Sequence, residues 1–175
     1  MIVQRQSKRL ISYQPLRPFV GGIILVALFW LEGSYRYTGL GLGVIQDSLH
    51  GVALNIDPFF KTIFTSLTVG TGFKGGEFIP LVFIGSTLGS LLGVLLNVAS
   101  GFLAALGFAA VFGAAANTPI ACAIMGIEIF GVGYSPYMIV VCFLSYYFSS
   151  QNGIYSAQRI AAPKHRHLIR LYRKF

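Results

Sequence analysis

Charge is what this sequence has least of. Only 10% of its 175 residues are charged, while 55% are apolar, and soluble domains carry about 25% charged residues. Mean hydropathy is +0.72. So little charge cannot cover a water-facing surface, and lipid is the alternative solvent. Acidic residues are scarcer still, with five Asp and Glu against 13 Lys and Arg. Ten of the basic residues lie in 1–17 and 159–175, and the middle keeps only Arg36, Lys61 and Lys74. Nucleic-acid binders lay basic residues along a folded face. Here they flank apolar sequence instead, so no nucleic-acid partner is expected. The arrangement matches the positive-inside pattern of membrane proteins, predicts cytoplasmic termini and an even number of crossings, and points to acidic lipid headgroups as partners of the tails.

Cysteine is also sparse. Cys122 and Cys142 sit inside apolar runs, with no His or Cys at metal-ligand spacing, so both read as small core residues. His50, His165 and His167 show no ligand spacing either. No His cluster, paired acid–base carboxylates or base-activated nucleophile is present. The expectation is therefore no metal, no cofactor and no enzymatic activity. Basic residues before the apolar Phe19–Leu31 stretch resemble a secretory signal, but Leu31-Glu32-Gly33-Ser34 is a poor cleavage sequence.

Clean apolar runs of about 20 residues, the mark of simple membrane spans, are missing as well. The apolar segments are short and broken by Gly, Pro or Asn. Pro18 to Leu31 forms the first, with Pro at a natural first helical position. A polar, Gly-rich interval from Glu32 to Gly43 follows, then a weakly amphipathic stretch from Val44 to Leu54. Asp57-Pro58 opens a helix running to about Val69, and Gly70 to Gly76 cannot remain helical. Ile79-Pro80 opens the longest apolar stretch, to Val98. Within it Gly85, Gly89 and Gly93 recur every four residues, which lets another helix approach closely. Gly101 to Ala115 is a further small-residue helix. Asn117-Thr118-Pro119 reads as helix end, N-cap and first turn, with a helix to Phe130. Another runs from Ser135-Pro136 to Phe148, and a short one from Ile154 to Ala162.

The fold class is thus all-α and polytopic, with about six membrane-embedded helices, several too short to cross alone. Three segments are expected: a basic N-terminal part (1–17), a membrane half-domain (18–162) and a basic cytoplasmic tail (163–175). Irregular backbone at membrane depth is tolerated only inside protein or along a polar cavity. Broken helices of this kind mark substrate paths, because half-helix N-termini can face an anion.

One segment fits that chemistry best, Gly75-Gly76-Glu77-Phe78-Ile79-Pro80. Two glycines permit close backbone approach and unusual dihedrals, and Pro80 lacks an N–H that a helix start would orphan anyway. The N–H groups of residues 77 to 79 would point out of the helix end, where the macrodipole favours negative charge. A halide can be held this way without a full positive charge that would slow its release.

This segment resembles an anion-binding motif, G-x-F-x-P, of the CLC chloride channels and transporters. Asn117-Thr118-Pro119 through Ile127-Glu128 is similar to the family's proline-started helix with a Glu nine residues on. Ile154-Tyr155-Ser156-Ala157 resembles its last membrane helix, and Arg17-Pro18-Phe19 through Leu40-Gly41-Leu42-Gly43 the opening of its second structural half. The resemblance covers residues 17 to 162 and implies the second inverted-repeat half of a CLC-type fold. It also implies an anion site lined by Gly76, the amides of Glu77 and Phe78 and the Tyr155 hydroxyl, and a homodimer. Gly75-Gly76-Glu77 is closest to the fluoride-exporting branch. An intramembrane carboxylate costs about 2.5–3.5 kcal/mol on insertion scales, so Glu77 is read either as coupling protons to fluoride movement or as capping its own helix. Glu128 is expected to play a structural hydrogen-bonding role.

The first half of such a transporter has no counterpart in this sequence. The chain is therefore expected to be part of a longer protein moving chloride or fluoride across the cell membrane, and inactive alone. The alternatives are a non-transporting membrane interaction protein and an inactive truncated remnant.

Overall fold

The computed structural model describes residues 13–150 and 153–155, and these contain helices and no strand. In chain order they are α1 (Leu16–Glu32), α2 (Leu42–Leu49), α3 (Asp57–Thr71), α4 (Phe78–Leu96), α5 (Ser100–Ala116) and α6 (Pro119–Phe130). A 3-10 turn, Val132–Tyr134, leads into α7 (Ser135–Phe148). The basic segments 1–12 and 163–175 and most of the expected 154–162 helix lie outside the described residues.

Local chemistry sets the boundaries. α3 and α6 each start with Pro in the first turn, where the missing N–H is no loss. α1 stops where Gly33 turns left-handed (φ 74°) and returns its N–H to the Phe29 carbonyl at 3.0 Å. The Val44–Leu54 stretch is helical only to Leu49. Past it the chain turns at Gly51 (φ 79°), and the Val52 N–H bonds the Asp47 carbonyl at 2.8 Å. Thr118 occupies the N-cap of α6 as expected, but its hydroxyl caps nothing and lies 3.5 Å from Cys122 Sγ.

The chain forms two compact units, Met1–Phe108 and Ala109–Phe175. In the first, α4 is central and packs against α2 and α3, while α1 packs on α3. Val82, Phe83, Gly85, Ser86, Thr87 and Gly89 of α4 are buried. Ser86 and Thr87 donate their hydroxyls to the Val82 and Phe83 carbonyls one turn back, at 2.8 Å each, so burial leaves neither unsatisfied. The glycine stripe does what its spacing predicts. A Cβ on Gly89 would strike the Leu103 carbonyl, and one on Gly107 the Gly85 carbonyl. Backbone therefore meets backbone between α4 and the start of α5. An aromatic layer lies alongside, with Phe29 stacked on Phe64 at 4.6 Å and Tyr37 on Phe60 at 5.4 Å.

The second unit is built on the α6–α7 pair. Cys122, Met138 and Cys142 are buried there and both thiols are free, as expected of core residues. Ser145 donates its hydroxyl to the Ala110 carbonyl at 3.0 Å, tying α7 to the C-terminal part of α5. Glu128 is exposed and makes no hydrogen bond among the described residues.

α4 is the described helix long and apolar enough to cross a membrane. Its 19 residues span about 28 Å at 1.5 Å per residue, close to the hydrocarbon thickness of about 30 Å. α5, α6 and α7 are apolar but shorter, matching the broken segments read in the sequence. Trp30, Leu31, Leu95, Val132 and Phe148 are all more than 60% exposed, an outer surface suited to lipid or further protein rather than water.

Candidate anion site

The site begins where α3 ends. Gly72 takes a left-handed turn (φ 101°) and stops α3, and non-helical residues lead to Glu77 at the N-cap of α4. The Leu81 N–H bonds the Glu77 carbonyl at 3.3 Å. Upstream of Leu81, the first turn of a helix has no intrahelical acceptors, and Pro80 contributes no donor. The positive end of a long apolar helix is thus set behind a glycine pair.

Of the two properties expected of the glycines, unusual dihedrals and close approach, the structure lacks the first. Neither Gly75 nor Gly76 has a positive φ, so unusual dihedrals are not their purpose. A Cβ on either would meet nothing within 4 Å. Their role here is to leave open space beside the helix start, which a side chain would fill. Phe78 is half-buried and sets its ring edge-on to Phe108 at 6.2 Å. Glu77 is half-buried at the N-cap of α4, and its carboxylate makes no capping hydrogen bond.

Tyr155 belongs to the second unit. It is 52% exposed and follows Ile154, whose N–H bonds the Ala115 carbonyl at 2.9 Å. Gly76, Glu77 and Phe78 are consecutive in the first unit.

Behind the glycine pair lies a polar arrangement that sequence reasoning did not assemble. Asp57 is fully buried and accepts four hydrogen bonds. Two come from Arg36 (Nε 3.0 Å, Nη2 2.9 Å), one from the Tyr37 hydroxyl (2.8 Å) and one from the Leu54 N–H (2.9 Å). One helical turn on, Lys61 is 3% exposed and donates to the Tyr37 and Gly39 carbonyls at 3.0 and 3.1 Å. Its ammonium lies 4.8 Å from the centre of the Phe83 ring. In the connection between α1 and α2, the hydrogen bond to Asp57 holds the Arg36 guanidinium above its usual pKa. Burial, then the Asp57 bond, raises that of the Tyr37 phenol. The signal for this network was present, since three charges isolated in apolar sequence need partners. Helical spacing could not pair them, because Arg36 lies outside a helix. A cavity of about 230 Å³ adjoins the network, with Lys61, Lys74, Thr65, Gly75 and Gly76 among its walls.

The family model described as "Voltage gated chloride channel" matches residues 1–150. The chain belongs to the CLC family. This CLC chain is 45% identical over 164 residues to a chloride/fluoride channel protein of Pseudomonas syringae pv. tomato, covering 90% of the chain and 36% of that relative. It is 29% identical over 124 residues to an uncharacterized protein of Methanocaldococcus jannaschii, covering 69% of the chain and 31% of that protein. Among solved structures, a CLC-type fluoride/proton antiporter superposes with a TM-score of 0.86 at 37% identity, over 90% of this chain and 40% of that one. The CLC chain therefore spans between 31% and 40% of the length of these relatives, and an all-helical, polytopic membrane fold accounts for its apolar composition.

Proposed function

We propose that this CLC chain supplies one wall of an anion pathway in a membrane transporter or channel that moves chloride or fluoride. The observation that carries the reading is the start of α4. There the positive end of a long apolar helix stands behind two glycines whose surroundings are open, a surface that can approach a partly dehydrated halide without a full charge at contact. Gly76 and the amides of Glu77 and Phe78 line this wall. The role is ion movement rather than enzymatic chemistry.

Glu77 is assigned to coupling. A half-buried carboxylate that caps nothing is available to exchange a proton, or to hydrogen-bond fluoride when protonated. Relatives named for fluoride as well as chloride support fluoride as a substrate. The working form is taken to be a homodimer in the cell membrane with both termini cytoplasmic, as the basic ends of the sequence suggest.

Halide efflux from liposomes tests this reading. The complete protein carrying this chain should release fluoride or chloride, and the 175-residue chain alone should give no efflux above empty liposomes. Robust efflux from the chain alone would overturn the one-wall reading, and silence of the complete protein toward both ions would overturn the transport reading.

A further inference from the structure

Three observations meet at the cavity behind Gly75 and Gly76. First, Lys61 is 3% exposed, and no carboxylate lies within ion-pair distance of it among the described residues. Asp57, one turn earlier on α3, is taken up by Arg36. Two carbonyls accept from the Lys61 ammonium and the Phe83 ring centre lies 4.8 Å away, but no carboxylate among the described residues cancels its charge. Buried charges are ordinarily paired. Second, the cavity is lined by Lys61 and Lys74 and by no acidic residue. Third, the Thr65 hydroxyl on the cavity wall makes no hydrogen bond among the described residues. Thr62, Thr68 and Thr71 of the same helix each bond a carbonyl one turn back.

We propose that this cavity holds a small monovalent anion of halide size, which serves as the counter-ion of Lys61 and accepts the Thr65 hydroxyl. The volume of about 230 Å³ takes such an ion together with several waters at about 30 Å³ each. Phe29, Phe64 and Phe73 form the apolar part of the wall. They offer nothing to a divalent oxyanion, whose dehydration costs far more than that of a halide. Low dielectric extends the reach of the Lys61 charge into the cavity without direct contact. Gly75 and Gly76 belong to the same wall, so the ion lies beside the start of α4 as a second station. The choice of ligand rests on the transport reading above, whereas the charge imbalance stands without it.

Crystals of the purified full-length protein soaked in sodium bromide test this directly, because bromide scatters anomalously. Wild type should show a bromide peak in the cavity. Lys61→Met should lose that peak, Lys61→Arg should keep it, and density at the start of α4 should persist in all three. Should Lys61→Met fail to fold, Thr65→Leu serves instead, since it fills the cavity and leaves every Lys61 contact in place. An empty cavity in wild type, or a peak that survives Lys61→Met or Thr65→Leu, overturns the proposal. A cavity peak with none at the start of α4 would instead strike at the transport reading alone.

Discussion

Arg36 grips Asp57 with two parallel hydrogen bonds, Nε to Oδ1 at 3.0 Å and Nη2 to Oδ2 at 2.9 Å, and the carboxylate is wholly buried. A second carboxylate, Asp47, approaches the same guanidinium at only 3.8 Å with half its side chain exposed. The two contacts differ in kind. The first fixes the connection between α1 and α2 to the start of α3, and the second lies near the surface.

Asp57→Asn should destabilise the protein by about 3 kcal/mol, since removing one partner strands a charge. Asp47→Asn should cost less than about 1 kcal/mol, as exposed pairs do. Thermal unfolding of the detergent-solubilised variants checks both. Equal shifts for the two would show that the buried network does not anchor the connection.

Gly89→Ala should cost about 1–3 kcal/mol through overpacking, because its Cβ would drive into the Leu103 backbone. Gly133→Ala is the control. It has no positive φ and open space around it, and it should change stability by less than about 0.5 kcal/mol. The same melting measurement separates them, and a neutral Gly89→Ala would mean that α4 and α5 do not pack backbone to backbone.

How far the sequence discloses this fold depends on what stops each helix. α6 could be read to the residue, Pro119 to Phe130, because Pro begins it and Gly131 ends it. α4 was read two residues too long. Apolarity continues to Val98, but Asn97 turns left-handed (φ 53°) and closes the helix at Leu96. Lys61 was visible as a lone charge and Asp57 as a helix start, yet their partners come from a connection whose path no periodicity encodes. At the site, the motif singled out Gly75-Gly76-Glu77, but of the two properties it suggested for the glycines only the open approach is present, not the unusual dihedral. Motif spacing reports that a side chain is absent, and only the surroundings reveal that the vacated space matters rather than the dihedral.

Gly76→Ala follows from that distinction. With an ordinary backbone and no neighbour within 4 Å, a methyl group there should leave stability within about 0.5 kcal/mol. In the proposed anion pathway it would nevertheless occupy space beside the start of α4, and halide efflux by the complete protein should fall. Unchanged efflux with unchanged stability would remove Gly76 from the pathway.

Glu77→Gln separates coupling from structure. Glu77 makes no capping bond, so the amide should cost the fold less than about 0.5 kcal/mol, and a helix-cap role predicts a larger loss. A coupling role predicts a different signature. Gln has nearly the same shape and can still donate a hydrogen bond, but it cannot exchange a proton. Fluoride efflux driven by an imposed pH gradient should therefore collapse in Glu77→Gln, while binding of fluoride to the detergent-solubilised protein persists. Measuring efflux with and without the pH gradient, alongside calorimetric fluoride titration, distinguishes the cases. If proton-driven efflux survives unchanged, Glu77 is a bystander, and the carboxylate at the mouth of α4 would need another explanation for its place in so acid-poor a sequence.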